Sequence, residues 1–110
     1  MSVVAAALPV IRLDSGRYKG QTYELRGTLR VGRHPFNEIT LPDLSVSRYH
    51  CWFSRKEDRV LVEDLASANG TFVNGDRLRE PRVLKPGDRV LIGNTQLVFA
   101  GESPSTILVA

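Results

Sequence analysis

Residues 44–51 read LSVSRYHC and place a hydroxyl, a guanidinium, an imidazole and the only cysteine thiol of the chain side by side. Such groups serve nucleophilic catalysis, or they bind an anion by directing several donors at one ligand. A catalytic histidine also needs an orienting carboxylate and an oxyanion hole, and the nearest acid, Asp43, comes without a glycine-rich turn to form one. The segment therefore favours binding, and we expect no catalytic residues.

Length and composition predict a single intracellular domain. The chain has 110 residues, 42% apolar and 25% charged, which is typical of one soluble globular domain rather than a disordered or membrane chain. A lone cysteine forms no internal disulfide, and no signal peptide or span of about 18 apolar residues is visible, so we expect a cytoplasmic location. With two histidines in total, we expect no metal site and no other cofactor.

Short apolar or alternating runs, separated by turn signals, predict an all-β fold. Asn74-Gly75 and Gly93-Asn94 are two-residue turns that tolerate positive φ and close tight hairpins. We therefore predict an antiparallel two-sheet β-sandwich whose binding loops lie at one end, within residues 32–37, 42–50 and 66–70. The predicted strands are Leu8 to Leu13, Gln21 to Leu25, Thr28 to Val31, Glu38 to Leu41, Cys51 to Arg55, Val60 to Asp64, Thr71 to Val73, Asp76 to Leu78, Arg89 to Ile92 and Gln96 to Ala100.

The motifs in these loops occur in a recognisable order: Gly32-Arg33, then Ser47-x-x-His50, then Asn69-Gly70-Thr71-x-x-Asn74-Gly75. In this order the sequence resembles the forkhead-associated (FHA) domain, over roughly Ile11 to Phe99. The resemblance implies a non-catalytic module that binds phosphothreonine on partner proteins in kinase-dependent signalling. It also implies an N-terminal extension over residues 1–7, the FHA domain over 8–101 and a C-terminal tail or linker over 102–110.

The resemblance assigns phosphopeptide-binding roles to Arg33, Ser47, Arg48, Asn69 and the position of Ala68. The two arginines supply charge, Ser47 supplies a hydroxyl donor, and the Asn69 amide grips the peptide backbone. Many family members carry a hydroxyl where this chain has Ala68, so one phosphate hydrogen bond is absent unless Arg48 or a backbone amide replaces it, and we expect affinity in the micromolar range. The residues implied to support the site are Gly32, His50 as a buried brace, Gly70, Thr71, Asn74 and Gly75.

Several alternatives stay open at this point. Arg33 can instead form a surface ion pair with Glu38 or Asp43. The whole domain can instead be a phospho-independent interaction or dimerisation domain that uses an exposed sheet face including Trp52 and Tyr49. Phosphorylated Thr106 could be a ligand for another copy. We expect neither nucleic acid nor membrane as a partner, because no basic stripe interleaves with aromatic residues.

Overall fold

Eleven β-strands form two sheets in the part of the chain that the computed structural model describes, the backbone of residues 2–109 and the side chains of residues 7–102. Within this part, no helix is long and apolar enough to span a membrane. The strands are β1 (Ser2–Leu13), β2 (Thr22–Glu24), β3 (Thr28–Gly32), β4 (Ile39–Thr40), β5 (Cys51–Lys56), β6 (Arg59–Asp64), β7 (Thr71–Val73), β8 (Asp76–Arg77), β9 (Arg82–Leu84), β10 (Arg89–Ile92) and β11 (Thr95–Val109).

The two sheets have six and five strands. The six-stranded sheet has the order β2-β1-β11-β10-β7-β8, and the five-stranded sheet has the order β4-β3-β5-β6-β9. All neighbouring strands of these two sheets run antiparallel, except that β3 and β4 are parallel. The predicted all-β sandwich is therefore confirmed, with one parallel pair that the sequence did not indicate.

Alternation along the strands places the core between the two sheets. In β5, Cys51 and Phe53 are buried, whereas Trp52 between them is half-buried on the outer face and its Nε1 donates to Glu63 Oε2 at 2.8 Å. Burial also raises the pKa of the Cys51 thiol, so this group is unreactive in the folded protein. The inward-facing Cys51 predicted from the sequence is confirmed, and the thiol takes no part in a site.

Both predicted hairpin turns are present. Asn74 and Gly75 have φ of 49° and 88°, and they join β7 to β8 where Val73 pairs with Asp76. Gly93, with φ 58°, begins the turn between β10 and β11. Glycine and asparagine adopt positive φ more readily than other residues do. Their positions in the sequence therefore predicted these turns correctly.

Strand boundaries differ most at the two ends of the chain. β1 begins at Ser2 and β11 continues to Val109, and their backbones pair along this whole length. The predicted limits of the domain, Leu8 and Gly101, thus fall inside strands, and the division into extension, domain and tail stays a prediction. One strand, β9, was missed by the sequence reading; it pairs with β6 at the edge of the five-stranded sheet.

Candidate functional site

Three loops meet at one end of the sandwich: the β3–β4 loop (residues 33–38), the β4–β5 loop (41–50) and the β6–β7 loop (65–70). The first two are joined through their backbones, because Arg33 N donates to Ser47 O at 2.9 Å and His34 N donates to Arg48 O at 3.1 Å. The structure therefore brings Arg33 of the first motif together with Ser47 and Arg48 of the second motif.

His50 joins the third loop to the other two. Its side chain is 0% exposed, Ser47 N donates to its Nδ1 at 3.0 Å, and its Nε2 lies 2.8 Å from Gly70 O. Because Nδ1 accepts a hydrogen bond, the ring proton is on Nε2 and is donated to the Gly70 carbonyl. Both ring nitrogens are engaged in holding loops, so His50 has the geometry of a brace and offers no free base.

Ser47 connects the β4–β5 loop to the β6–β7 loop. Its Oγ accepts a hydrogen bond from Ala68 N at 2.9 Å. Among the described residues, the Ser47 hydroxyl proton has no acceptor, so the hydroxyl can donate it to a ligand while the Ala68 amide holds the oxygen in place.

Arg33 is anchored at one edge of its guanidinium. Nε donates to Val46 O at 3.1 Å, and no carboxylate of the described residues lies at ion-pairing distance. The ion pair with Glu38 considered above is not formed, because Glu38 pairs with Arg30 at 2.7 Å. Asp43 instead accepts from Ser45 N and Oγ, and these hydrogen bonds lower the pKa of its carboxyl group. The terminal nitrogens of Arg33 are thus left for an anion.

Gly32 allows the close packing of these loops. A Cβ at this position would lie 2.1 Å from Arg48 O and 2.8 Å from Asn37 Nδ2. The Asn37 amide in turn donates to His34 O at 2.7 Å and to Arg48 O at 2.8 Å. Any side chain at residue 32 would therefore separate the β3–β4 loop from the β4–β5 loop.

Asp64 organises the β6–β7 loop, and the sequence reading missed it. Its carboxylate accepts from Ser67 N at 3.1 Å, Ser67 Oγ at 2.5 Å and Thr71 Oγ1 at 2.7 Å, and Ser67 Oγ accepts from Gly70 N at 2.9 Å. Burial opposes ionisation, but the hydrogen bonds from Ser67 and Thr71 outweigh it and hold the pKa of Asp64 below its usual value. The Asp-x-x-Ser spacing, typical of side-chain-to-backbone turns, was the available signal.

The two asparagines of the last motif lie in different places. Asn69 is exposed in the β6–β7 loop, and its Nδ2 donates to Ser45 O at 2.9 Å, beside Arg33 and Ser47 in the loop cluster. Asn74 lies beyond the far end of β7, where its Oδ1 accepts from Arg89 N at 2.9 Å and its Nδ2 donates to Asp88. Asn74 and Gly75 therefore shape a turn away from the cluster.

Two clefts of the described residues lie away from Arg33, Ser47 and Asn69, although the first one borders the start of the β4–β5 loop. One of about 490 Å³ separates the β1–β2 loop from residues 41–44, and one of about 350 Å³ lies on the outer face of the six-stranded sheet around Phe72 and Leu91. Neither cleft includes Arg33, Ser47 or Asn69. Arg33 and Ser47 are half-buried and Asn69 is exposed, so all three side chains are partly accessible to a ligand. The side chains of Thr106 and Val109 lie outside the described residues, so their part in self-association stays a prediction.

The fold and this loop cluster define a class of protein, a β-sandwich that presents anion-binding donors from loops at one end. The FHA domain family model matches residues 29–93, more than half of the chain, and the chain belongs to this family. The resemblance read from the motifs is therefore confirmed.

Known proteins similar to this chain include regulators. It is 48% identical over 77 residues to an oxoglutarate dehydrogenase inhibitor of Corynebacterium diphtheriae, covering 67% of this chain and 51% of that protein. It is 45% identical over 75 residues to the glycogen accumulation regulator GarA of Mycolicibacterium smegmatis, covering 66% and 45%. The chain thus spans about half the length of the curated relatives that it matches.

Among solved structures, the fold is similar to that of a protein studied for phosphothreonine-dependent FHA domain interactions. The TM-score is 0.75 at 29% identity, over 96% of this chain and 99% of the other.

Proposed function

We propose that this chain is a phosphothreonine-binding module that recognises phosphorylated partner proteins in kinase-dependent signalling and has no catalytic activity of its own. The observation that carries the proposal is the convergence of the Arg33 guanidinium and the Ser47 hydroxyl on one surface, both oriented by the loop contacts around His50. Membership of the FHA family and the likeness to a protein with phosphothreonine-dependent interactions support the same function.

The chemistry of the ligand matches these donors. A phosphothreonine side chain carries a charge of about −1.5 to −2 at pH 7 and three strong acceptor oxygens. The terminal nitrogens of Arg33 can reach two of these oxygens in a fork, the Ser47 hydroxyl can donate to the third, and the exposed Arg48 adds charge. Asn69 would hold the peptide backbone through its amide after exchanging its hydrogen bond to Ser45 O for the ligand.

Ala68 contributes through its backbone rather than its side chain. Its amide donates to the Ser47 oxygen, and this bond does not use the serine proton, which can be donated to a ligand. The position nevertheless lacks a hydroxyl, and Ser67 cannot replace it, because the Ser67 hydroxyl is engaged with Asp64 and Gly70. We therefore retain the expectation of affinity in the micromolar range.

The absence of catalysis is supported by the state of the reactive groups. The two nitrogens of His50 are bonded to Ser47 and Gly70, and the Cys51 thiol is fully buried.

Calorimetric titration of one peptide in phosphorylated and unphosphorylated forms tests the proposal. Binding is expected only for the phosphorylated form, and a glutamate in place of the phosphothreonine should not bind, because it brings one charge and two coplanar oxygens. Arg33→Ala and Ser47→Ala should each weaken binding at least tenfold, whereas Arg59→Ala, which removes an exposed arginine at the other end of β6, should not. Equal affinity for both forms of the peptide would instead favour a phospho-independent interaction domain.

A further inference from the structure

Three rings lie together on the surface of the β3–β4 and β4–β5 loops. The ring centroids of His34 and Phe36 are 4.8 Å apart, and those of His34 and Tyr49 are 5.3 Å apart with the planes nearly parallel. Phe36 is 74% exposed and Tyr49 is 44% exposed. We call these three residues the aromatic shelf. Single exposed apolar residues are ordinary, but three adjoining rings, one pair nearly parallel and one pair tilted by 56°, that leave this much apolar surface in water are a feature of binding surfaces.

The shelf is continuous with the cationic donors. His34 directly follows Arg33 and Tyr49 directly follows Arg48, and the backbone bond from His34 N to Arg48 O holds the two pairs together. Along the β4–β5 loop, Ser45 contacts Asn69 of the β6–β7 loop, whereas Arg48 and Tyr49 contact the β3–β4 loop. Along the β4–β5 loop, Asn69 is thus bound at Ser45, before Ser47, and the shelf lies at Arg48 and Tyr49, after Ser47.

Hydrogen bonds between loop residues hold the backbone that carries the shelf. Phe36 N donates to His34 Nδ1 at 3.1 Å, and Arg30 Nη2 donates to Phe36 O at 3.2 Å while it pairs with Glu38. The Asn37 amide bonds His34 O and Arg48 O, so it fixes the backbone below the rings. A ligand would not have to order this surface, and this lowers the entropy that binding loses.

We propose that the aromatic shelf is a second recognition subsite, which takes a ring-bearing apolar side chain, aromatic or prolyl, from the same phosphorylated partner segment. This inference rests on the proposed function. The ring belongs on the side of the phosphothreonine away from Asn69, because the shelf lies after Ser47 along the β4–β5 loop and the Asn69 contact lies before it. A cationic side chain is disfavoured here by Arg33 and Arg48 beside the rings, and an acidic one would pair with those arginines instead of stacking.

The test uses the whole chain and a series of synthetic peptides with a central phosphothreonine, in which tyrosine replaces alanine at each flanking position in turn. Tyrosine should raise affinity about 3- to 10-fold at one or two positions, all of them on one side of the phosphothreonine. Phe36→Ala and Tyr49→Ala should remove this gain and leave the affinity for the all-alanine phosphopeptide unchanged. Leu91→Ala, which truncates a residue of similar exposure (41%) on the outer face of the six-stranded sheet, should preserve the gain.

The outcomes separate the two proposals. If phosphorylation is required but tyrosine gives no gain at any position, or if the shelf variants weaken all phosphopeptides equally, the subsite is refuted and the proposed function stands. If the wild-type chain binds no phosphopeptide, the proposed function fails and the subsite fails with it. Thermal unfolding of each variant shows whether the fold is kept, as expected for substitutions of exposed side chains.

Discussion

Replacing His50 with phenylalanine removes two hydrogen bonds while it keeps a flat, slightly larger ring in the same buried position. Ser47 N–H loses its acceptor at 3.0 Å, and the Gly70 carbonyl loses its donor at 2.8 Å. The substitution thus separates the bracing role of the imidazole from its role in filling space.

The expected loss of stability follows from the burial of the two groups. An unsatisfied buried polar group costs about 1 to 3 kcal/mol. Gly70 is buried and Ser47 is half-buried, so water can partly satisfy the serine amide and the total is about 2 to 5 kcal/mol. For a domain of this size, that loss lowers the midpoint of thermal unfolding by about 10 to 20 °C.

Differential scanning calorimetry measures the loss of stability, and peptide titration at a temperature below the midpoint of thermal unfolding measures the loss of affinity. Because the freed Ser47 segment no longer holds its hydroxyl toward the ligand, affinity for a phosphothreonine peptide should fall about tenfold even where the variant is fully folded. Tyr23→Phe is the control, since it removes a hydrogen bond to Gln21 that is exposed, and it should change stability by less than about 0.5 kcal/mol. A His50→Phe protein with unchanged midpoint and unchanged affinity would refute the assignment of His50 as the brace.

Two further substitutions test the close packing of the loops and the missing hydroxyl. Gly32→Ala should destabilise the fold by about 1 to 3 kcal/mol and weaken peptide binding, because its Cβ would meet Arg48 O at 2.1 Å. Gly27→Ala is the control, since the new Cβ meets nothing within 4 Å, and its free energy of unfolding should be close to that of the wild type. Urea titration measures the free energy of unfolding of both variants. Ala68→Thr should raise affinity for a phosphothreonine peptide by about tenfold through a new phosphate hydrogen bond, and calorimetry that finds no gain would indicate that residue 68 does not face the phosphate.

The sequence predicted the fold and the loop cluster well where the determinants are local. Alternation in Cys51, Trp52 and Phe53 assigned the inner and outer faces of β5, and Asn74-Gly75 located a hairpin, since each depends on a few adjacent residues. The motif order also placed Arg33, Ser47 and Asn69 in loops, which the structure brings to one end of the sandwich.

Features that depend on contacts between distant segments were not predicted. β9 has three residues, Arg82–Leu84, too few for an alternating pattern, and it is a strand because β6 offers a free edge. Asp64 is a different case, because its partners Ser67 and Thr71 are near in the sequence and the Asp-x-x-Ser spacing was an available signal. The stacking of Tyr49 on His34 depends on the backbone bond between two loops, which no spacing in the sequence records.

The pairing of β1 with β11 has a consequence for how the domain is made. The ladder that joins Ile11 and Leu13 to Phe99 and Leu97 links segments from opposite ends of the fold, and β11 also completes the pairing of β10. During synthesis on the ribosome, all three site loops therefore leave the exit tunnel before the six-stranded sheet can close. The site loops should therefore become able to bind only after β11 has emerged, in a single step. An incomplete nascent chain is not expected to bind a phosphorylated partner.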